Sequence, residues 1–289
     1  MHGVGSATAA VTFVNALFTG VGAAAAIDLT LTAEVDLEPA TGDSPAVRVS
    51  EPGSDTPLVR ASLADALRRW GHGGRYQGSL ELRSEIPPSK GLKSSSAVGV
   101  AIGRAVARAF GVPASPWALA LASSEVSQRI GLSATGAFDD ALAAAGGGVV
   151  VTENSGPTVR YRGALPTEWS VVAWVPLGVH APSVDWRSNF RARAAEAEPA
   201  VEAALRHDWA AAMEANTRLV ESILKYEVGD LRLALGAAGA IASGVSGLGP
   251  ALAVICPGAR TSELTRLLPE GETWSTRFVP PASPEAGVP

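Results

Sequence analysis

Residues 27–37 alternate strictly. Ile27, Leu29, Leu31, Ala33, Val35 and Leu37 are apolar, and Asp28, Thr30, Thr32, Glu34 and Asp36 between them are polar. A period of two over that length describes a β-strand with one wet face. Its dry face needs a covering layer, so the chain must build a sheet packed against something else. The stretch before it is different. No Asp, Glu, Lys or Arg precedes Asp28, and the first Arg or Lys is Arg48. A secretory signal needs a basic start and a membrane span needs about 20 mainly apolar residues. Ser6, Thr8, Thr12, Asn15, Thr19 and several glycines interrupt this one. The expectation is a buried Ala/Gly-rich segment, with neither an export signal nor a membrane role.

Further elements follow by the same reasoning. Val47 and Val49 suggest a partner strand after a turn at Gly42. Residues 58–70 read as an amphipathic helix, and 80–86 as a strand closed by Pro87 and Pro88. Helices are expected at 94–110, opened by serines, and at 115–130, opened by Ser115–Pro116. A short helix or turn at 135–145 ends at Gly146–Gly148. Strands are expected from 149, at 157–162, 170–175, 251–256 and near 273–279. Helices are expected at 187–207, 208–226, 229–243 and 261–268, with a Gly-rich loop at 244–249. Strands come in runs and so do some helices, which describes an α+β fold. With 289 residues, two units are expected: 1–155 and 156–280, with a disordered tail at 281–289.

Composition narrows the function. The net charge of −5 excludes a general nucleic-acid binder, which needs a basic face. The same balance excludes a polybasic membrane anchor. Cys256 is the only cysteine, so no intramolecular disulfide is possible, and a reducing, cytoplasmic setting is expected. His2, His72, His180 and His207 lack ligand-like spacing, and the seven tryptophans are scattered. Only three of 23 basic residues are lysines, Lys90, Lys93 and Lys225. Two of them fall in one loop, which points to a locally required ammonium.

That loop is Ile86-Pro87-Pro88-Ser89-Lys90-Gly91-Leu92-Lys93-Ser94-Ser95-Ser96-Ala97. It reads as a strand, a Gly/Lys/Ser turn and a helix start. Free N–H groups and the positive dipole end of a helix favour an anion there. Gly91 permits close approach of a phosphate. Ser94 and Ser95 can donate to it or hold Mg²⁺. An ordinary serine-capped helix after a proline turn gives the same pattern. The Walker A spacing is not met, because Leu92 separates Gly91 from Lys93.

PPSKGLKSSSAVG resembles the ATP-phosphate loop of the GHMP kinase superfamily, and within it most closely the archaeal-type shikimate kinases. Three further stretches agree, in the order that family has them. Thr12–Ala16 with Gly20–Ala24 and Ile27–Leu29 is similar to its N-terminal segment. Thr135-Gly136-Ala137-Phe138-Asp139-Asp140-Ala141 is similar to its central acidic motif. Ser243-Gly244-Val245-Ser246-Gly247-Leu248-Gly249-Pro250 is similar to its C-terminal Gly-rich motif. There Leu248 replaces a small hydroxyl residue, usually Thr, which leaves the Gly247 and Gly249 N–H groups as donors.

The resemblance implies a two-domain fold, each domain a mainly antiparallel or mixed sheet covered by helices, with the active site in the cleft between them. It implies phosphorylation of the shikimate 3-hydroxyl by ATP with Mg²⁺, and possible homo-oligomers. The implied phosphate-binding residues are Pro88, Ser89, Lys90, Gly91, Leu92, Lys93, Ser94, Ser95 and Ser96, with Gly244, Ser246, Gly247 and Gly249. Asn15 is implied at the nucleotide or acceptor. Asp139 is implied as the catalytic carboxylate, with Lys93 stabilising the transferred phosphoryl. Ser94, Ser95 and Glu125 are the candidate metal ligands. A helix start or an exposed helix charge are the plainer readings of Asp139–Asp140 and Glu125. Because Asp139 and Asp140 point about 100° apart on a helix, one of them is expected to face the cleft.

An acceptor carboxylate needs a cation, for which Arg187, Arg191 and Arg193 are candidates. The same run also reads as a solvated helix face. Homoserine and pantoate kinases are rival activities, since their acceptors also pair a hydroxyl with a carboxylate. A catalytically silent nucleotide-binding protein on the same fold is the rival from another class.

Overall fold

A computed structural model describes residues 1–40, 46–51, 53–179 and 187–282. The first sheet holds β1 (His2–Val14), β2 (Val21–Pro39), β3 (Val47–Val49), β4 (Tyr76–Ser84), β5 (Val149–Glu153) and β6 (Thr158–Gly163). The second holds β7 (Trp169–Pro176), β8 (Ala242–Val245), β9 (Leu252–Pro257) and β10 (Gly271–Arg277), in the order β10-β7-β9-β8. The helices are α1 (Pro57–Trp70), α2 (Ser94–Ala109), α3 (Pro116–Arg129), α4 (Phe138–Gly146) and α5 (Arg187–Ala192). They continue with α6 (Ala194–Leu205), α7 (Trp209–Leu224), α8 (Gly229–Ala237) and α9 (Thr261–Leu267).

β2 organises the first sheet. One edge pairs with β1 over most of its length; the other pairs with β5 through Val21–Ala25 and with β4 through Leu31–Pro39. The strict alternation is the β4-paired half, where Leu31, Ala33, Val35 and Leu37 are buried. The half before it is buried on both faces, so it shows no period. Helices α2 and α4 pack on β1 and β2, and α7 of the later chain also packs on β1. Phe13 of β1 meets Trp209 of α7 with ring centroids 5.3 Å apart.

The Ala/Gly-rich segment is therefore β1, a strand that composition concealed. A Cβ at Gly3 would lie 2.2 Å from the Ala105 carbonyl oxygen, and one at Gly5 2.3 Å from that of Ala101. Small residues let α2 lie directly on the strand. Three other expectations change. β3 pairs in parallel with β4, because β4 already occupies that edge of β2; the turn at Gly42 lies outside the described residues. The helix expected at 187–207 is broken at Arg193. The one expected at 229–243 stops at Ala237, and Ala242–Val245 is strand β8.

The first sheet is mixed and the second antiparallel. The β5–β6 hairpin spans the division expected between 155 and 156. Of the expected tail, Pro281 and Ala282 pack on the first sheet's side, where the Ala282 N–H donates to the Gly146 carbonyl at 2.8 Å. Residues 283–289 lie outside the described residues.

Candidate active site

The loop after β4 is shaped by backbone conformation. Ser89 (φ 58°), Gly91 (φ 92°) and Lys93 (φ 66°) are all left-handed. Lys93 is the N-cap of α2 and makes no side-chain capping bond, so the serines form the first turn rather than cap it. The first-turn N–H groups at Ser94–Ser96 have no partners within the helix, and the positive dipole end lies with them. Pro88, Ser89, Gly91, Lys93 and Ser94–Ser96 line a cleft of about 940 Å³. That falls within the range of small-molecule sites, roughly 300–1,000 Å³. Leu92 and Lys90 depart from expectation. Leu92 is fully buried as an anchor in the core, and Lys90 is absent from the lining, its carbonyl accepting from the Ala251 N–H at 3.0 Å.

The second Gly-rich stretch spends its polar groups inward. The fully buried Ser246 Oγ accepts from the Thr12 N–H (3.2 Å) and donates to the Gly91 carbonyl (2.8 Å). The Gly247 N–H donates to Thr12 Oγ1 at 3.0 Å, and the Gly249 N–H to the Ser246 carbonyl at 2.8 Å. Neither N–H remains for a phosphate, so this loop braces the first one. Gly91 must be glycine here, since a Cβ would lie 2.3 Å from the Ser246 carbonyl oxygen. Asn15 belongs to the same brace: its Nδ2 donates to the Gly247 carbonyl and its Oδ1 accepts from the Leu17 N–H. Gly244 lies in β8 against Met213 and Thr217 of α7, outside the lining. Leu248 lines the cleft and packs against the apolar cluster that includes Phe18 and Phe190.

Helix α4 brings both acidic residues to the cleft, where one was expected. Ala137 (φ 53°) is its left-handed N-cap, and Asp139 and Asp140 are 3% and 8% exposed. Lys93 Nζ lies 3.2 Å from Asp140 Oδ2, so it pairs with Asp140 directly rather than with Asp139. A Cβ at Gly247 would lie 2.7 Å from that ammonium, which therefore rests on a bare backbone. Asp139 is gripped by Asn154, whose Nδ2 donates to Asp139 Oδ1 at 2.8 Å while its Oδ1 accepts from the Asp139 N–H. Thr152 Oγ1 donates to the same Asn154 Oδ1 at 2.7 Å. Gly22 leaves room for Asp139 Oδ2, 2.3 Å from where its Cβ would be. Thr152 and Asn154 went unseen in the sequence, and Thr12 and Gly22 were seen only as members of the N-terminal motif, with no role at the site. The spacing of Thr152 and Asn154, two apart at the end of a strand, is the one signal that could have placed them on a common face.

Two buried carboxylates facing one ammonium carry a surplus negative charge. Burial and the neighbouring Asp139 charge push Asp140 up to about 7, against the pull of Lys93. Burial also raises Asp139, against Lys93 and the Asn154 hydrogen bond. A carboxyl raised above its unfolded value stabilises the fold in acid, and that contribution is lost as pH rises from about 4 to 7. Asp140→Asn removes Asp140's part of that loss and leaves Lys93 facing Asp139. Its melting temperature relative to the parent is expected to rise by at least about 3 °C between pH 5 and pH 8. Thermal melts at the two pH values check this; a difference that stays flat or falls refutes it.

The remaining candidates lie outside the lining. Glu125 ion-pairs with Arg69 on the face of α3 turned to the end of α1, where Asp65 gathers Arg68, Arg69 and Arg129. Arg193 is engaged by Glu196 and Ser222, and Arg191 is exposed on α5. Arg187 reaches the rim, donating to the carbonyl of Gly131, a lining residue.

A cleft with an open helix N-terminus, an ammonium and a carboxylate pair belongs to the class of phosphoryl-transfer sites. Comparison with known proteins agrees. Residues 58–148 match the GHMP kinases N terminal domain. A shikimate kinase of Thermococcus kodakarensis is 36% identical over 86% of this chain and 89% of its own. One of Pyrococcus furiosus is 33% identical over 88% and 92%. The structure of L. major mevalonate kinase in complex with R-mevalonate superposes with a TM-score of 0.73 at 16% identity, over 98% of this chain and 97% of that one. The chain belongs to the GHMP kinases, a family of ATP-dependent small-molecule kinases, in the group whose curated archaeal members are named shikimate kinase. No helix among the described residues is long and apolar enough to cross a membrane.

Proposed function

We propose that the protein transfers the γ-phosphoryl of ATP to the 3-hydroxyl of shikimate, giving shikimate 3-phosphate and ADP in the cytoplasm. The Lys93–Asp140–Asp139 cluster at the open start of α2 carries the reading, with the names of the relatives supplying the acceptor. The apolar lining residues Leu31, Leu58, Leu82 and Val98 take the adenine. The phosphates reach the first turn of α2, whose N–H groups and Ser94 and Ser95 hydroxyls donate to them. Asp139, held by Asn154, accepts the hydroxyl proton while the new O–P bond forms and the bond to the β,γ-bridging oxygen breaks. Lys93 balances charge on the moving phosphoryl.

Asp140 Oδ1 is a buried acceptor without a partner among the described residues, and Asp140 lines this cleft together with Ser94 and Ser95. That all-oxygen set suits Mg²⁺, which supplies charge neutralisation on the phosphates when bound. The acceptor carboxylate goes to Arg187 at the rim. A second reading makes Asp140 the base, favoured by that free oxygen and by a value of about 7, close to working pH.

An ADP-release assay across shikimate, homoserine, pantoate and mevalonate tests the proposal. Shikimate is expected to lead in kcat/KM by about 10²-fold or more, since a site built for specific hydroxyls leaves buried groups unpaired with the others. A lead for homoserine or pantoate makes the protein a different kinase of the family. ATP binding without turnover of any acceptor makes it a silent nucleotide-binding protein.

A further inference from the structure

Helix α4 carries Asp139 and Asp140 at its first turn, and all nine of its residues are buried. Past the aspartates it reads Ala-Leu-Ala-Ala-Ala-Gly. Such a surface is nearly smooth, with few knobs to stop the helix sliding along its axis. Contacts at its two ends must then fix its position, and at the first the fully buried Phe138 meets Trp117 with ring centroids 4.9 Å apart. Asn154 holds the first end. At the other, Ala145 and Gly146 present carbonyls that the helix cannot satisfy internally.

Three donors from separate parts of the chain converge there. Arg104 of α2 donates through Nη2 to the Ala145 carbonyl, while its Nη1 donates to the Ser6 carbonyl of β1. Arg162 of β6 donates through Nη2 to the Gly146 carbonyl. The Ala282 N–H reaches the same Gly146 carbonyl at 2.8 Å. Gly146 has no Cβ to block this: one would lie 2.5 Å from Arg162 Nη2. The last segment threads in as a strap, with the Val279 N–H on the Ala26 carbonyl (3.0 Å) and the Val279 carbonyl accepting from Gly148 (2.8 Å). Two guanidiniums at a helix C-terminus also meet the negative end of its dipole.

We propose that Arg162 and Arg104 are positioning residues for the phosphoryl transfer, clamping the far end of α4 so that its aspartates stay in reach of the acceptor hydroxyl. The proposal rests on the reading of α4 as the helix of the catalytic carboxylate. A shift of about 1 Å at a reacting group costs on the order of 10²-fold in rate, so a remote clamp has leverage.

The test compares Arg162→Gln, Arg162→Lys and Arg104→Gln with the parent, using any acceptor that the parent phosphorylates. Each Gln variant is expected to lose about 10- to 100-fold in kcat while the ATP KM stays within about twofold, because the loops at Gly91 and Gly247 are untouched. Lys at 162 should restore part of the loss, since it can still donate to the carbonyl. Amide hydrogen exchange across 138–146 should quicken in the Gln variants, whatever the acceptor. Unchanged kcat in both Gln variants overturns the proposal, as does unchanged exchange in α4. So does a loss in which the ATP KM moves as far as kcat. A parent that turns over no acceptor defeats the kinase reading instead, and the exchange data then decide the clamp alone.

Discussion

Asp139→Asn is expected to fold, to bind ATP with near-parental affinity and to lose about 10²–10⁴ in kcat. The substitution keeps the size of the side chain and an oxygen for Asn154 Nδ2 to donate to, so the grip on the helix start survives. It removes the charge and the basicity that a hydroxyl proton needs. Stability should not suffer, because one of two buried like charges is gone and Lys93 still has Asp140 at 3.2 Å. ATP titration, thermal melts and steady-state kinetics on the same preparations separate these effects. Asp140→Asn is the companion: it removes a proposed Mg²⁺ ligand, so it should retain more activity than Asp139→Asn once Mg²⁺ is raised to make up for that ligand. A soluble, ATP-binding Asp139→Asn with parental kcat sinks the assignment. If Asp140→Asn alone is dead, the base moves by one residue and the second reading takes over.

What the sequence revealed of this site was its local part. Gly91, Lys93 and the serines are neighbours in the chain, and a glycine followed by a helix start announces an open N-terminus whatever surrounds it. The alternation in β2 was equally local. Where both faces of a strand are covered, as in the second half of β1, the period vanishes. In its first half burial does alternate, but the buried positions are Gly3, Gly5 and Ala7, and alanine and glycine carry little strand preference of their own. Side-chain partners were not legible either. Ser246 reads as a phosphate donor until Thr12 is seen beside it, 234 positions away in the chain. Arg193 and Glu125 look like ligands in a list of charges, yet each finds a nearer partner on its own face of the fold. A tertiary contact decides whether a polar group faces ligand or protein, and spacing along the chain does not record it.

Those contacts also explain why the two glycine-rich stretches differ in role. The first presents its backbone to the cleft because a left-handed Lys93 turns the chain into α2 without a side-chain cap. The second turns its N–H groups to Thr12 and Ser246, and its carbonyls to Asn15 and Tyr226. Leu248 in place of a hydroxyl is consistent with that division, since a residue of a bracing loop needs packing more than it needs a donor.

Lys93→Ala is expected to lower kcat by about 10²–10³, the cost of one lost electrostatic donor at a transferring group. The ammonium occupies a narrow place, between Asp140 Oδ2 and the bare backbone of Gly247. Arginine should therefore rescue poorly, because its planar fork is wider than the gap that glycine leaves. Lys90→Ala serves as the comparison: Lys90 holds the loop through its carbonyl and does not line the cleft, so its side chain is dispensable. A second signature separates lost charge from lost packing. Without Lys93 the two carboxylates face each other uncompensated, and the pair must hold a proton to higher pH than in the parent. A folded-state value raised further means stability that is present in acid and lost as pH rises. The melting temperature of Lys93→Ala should thus fall further below the parent at pH 8 than at pH 5. Melts at both pH values and kcat at pH 8 make the measurement. A deficit independent of pH, or a kcat equal to that of Lys90→Ala, removes the ammonium from the mechanism.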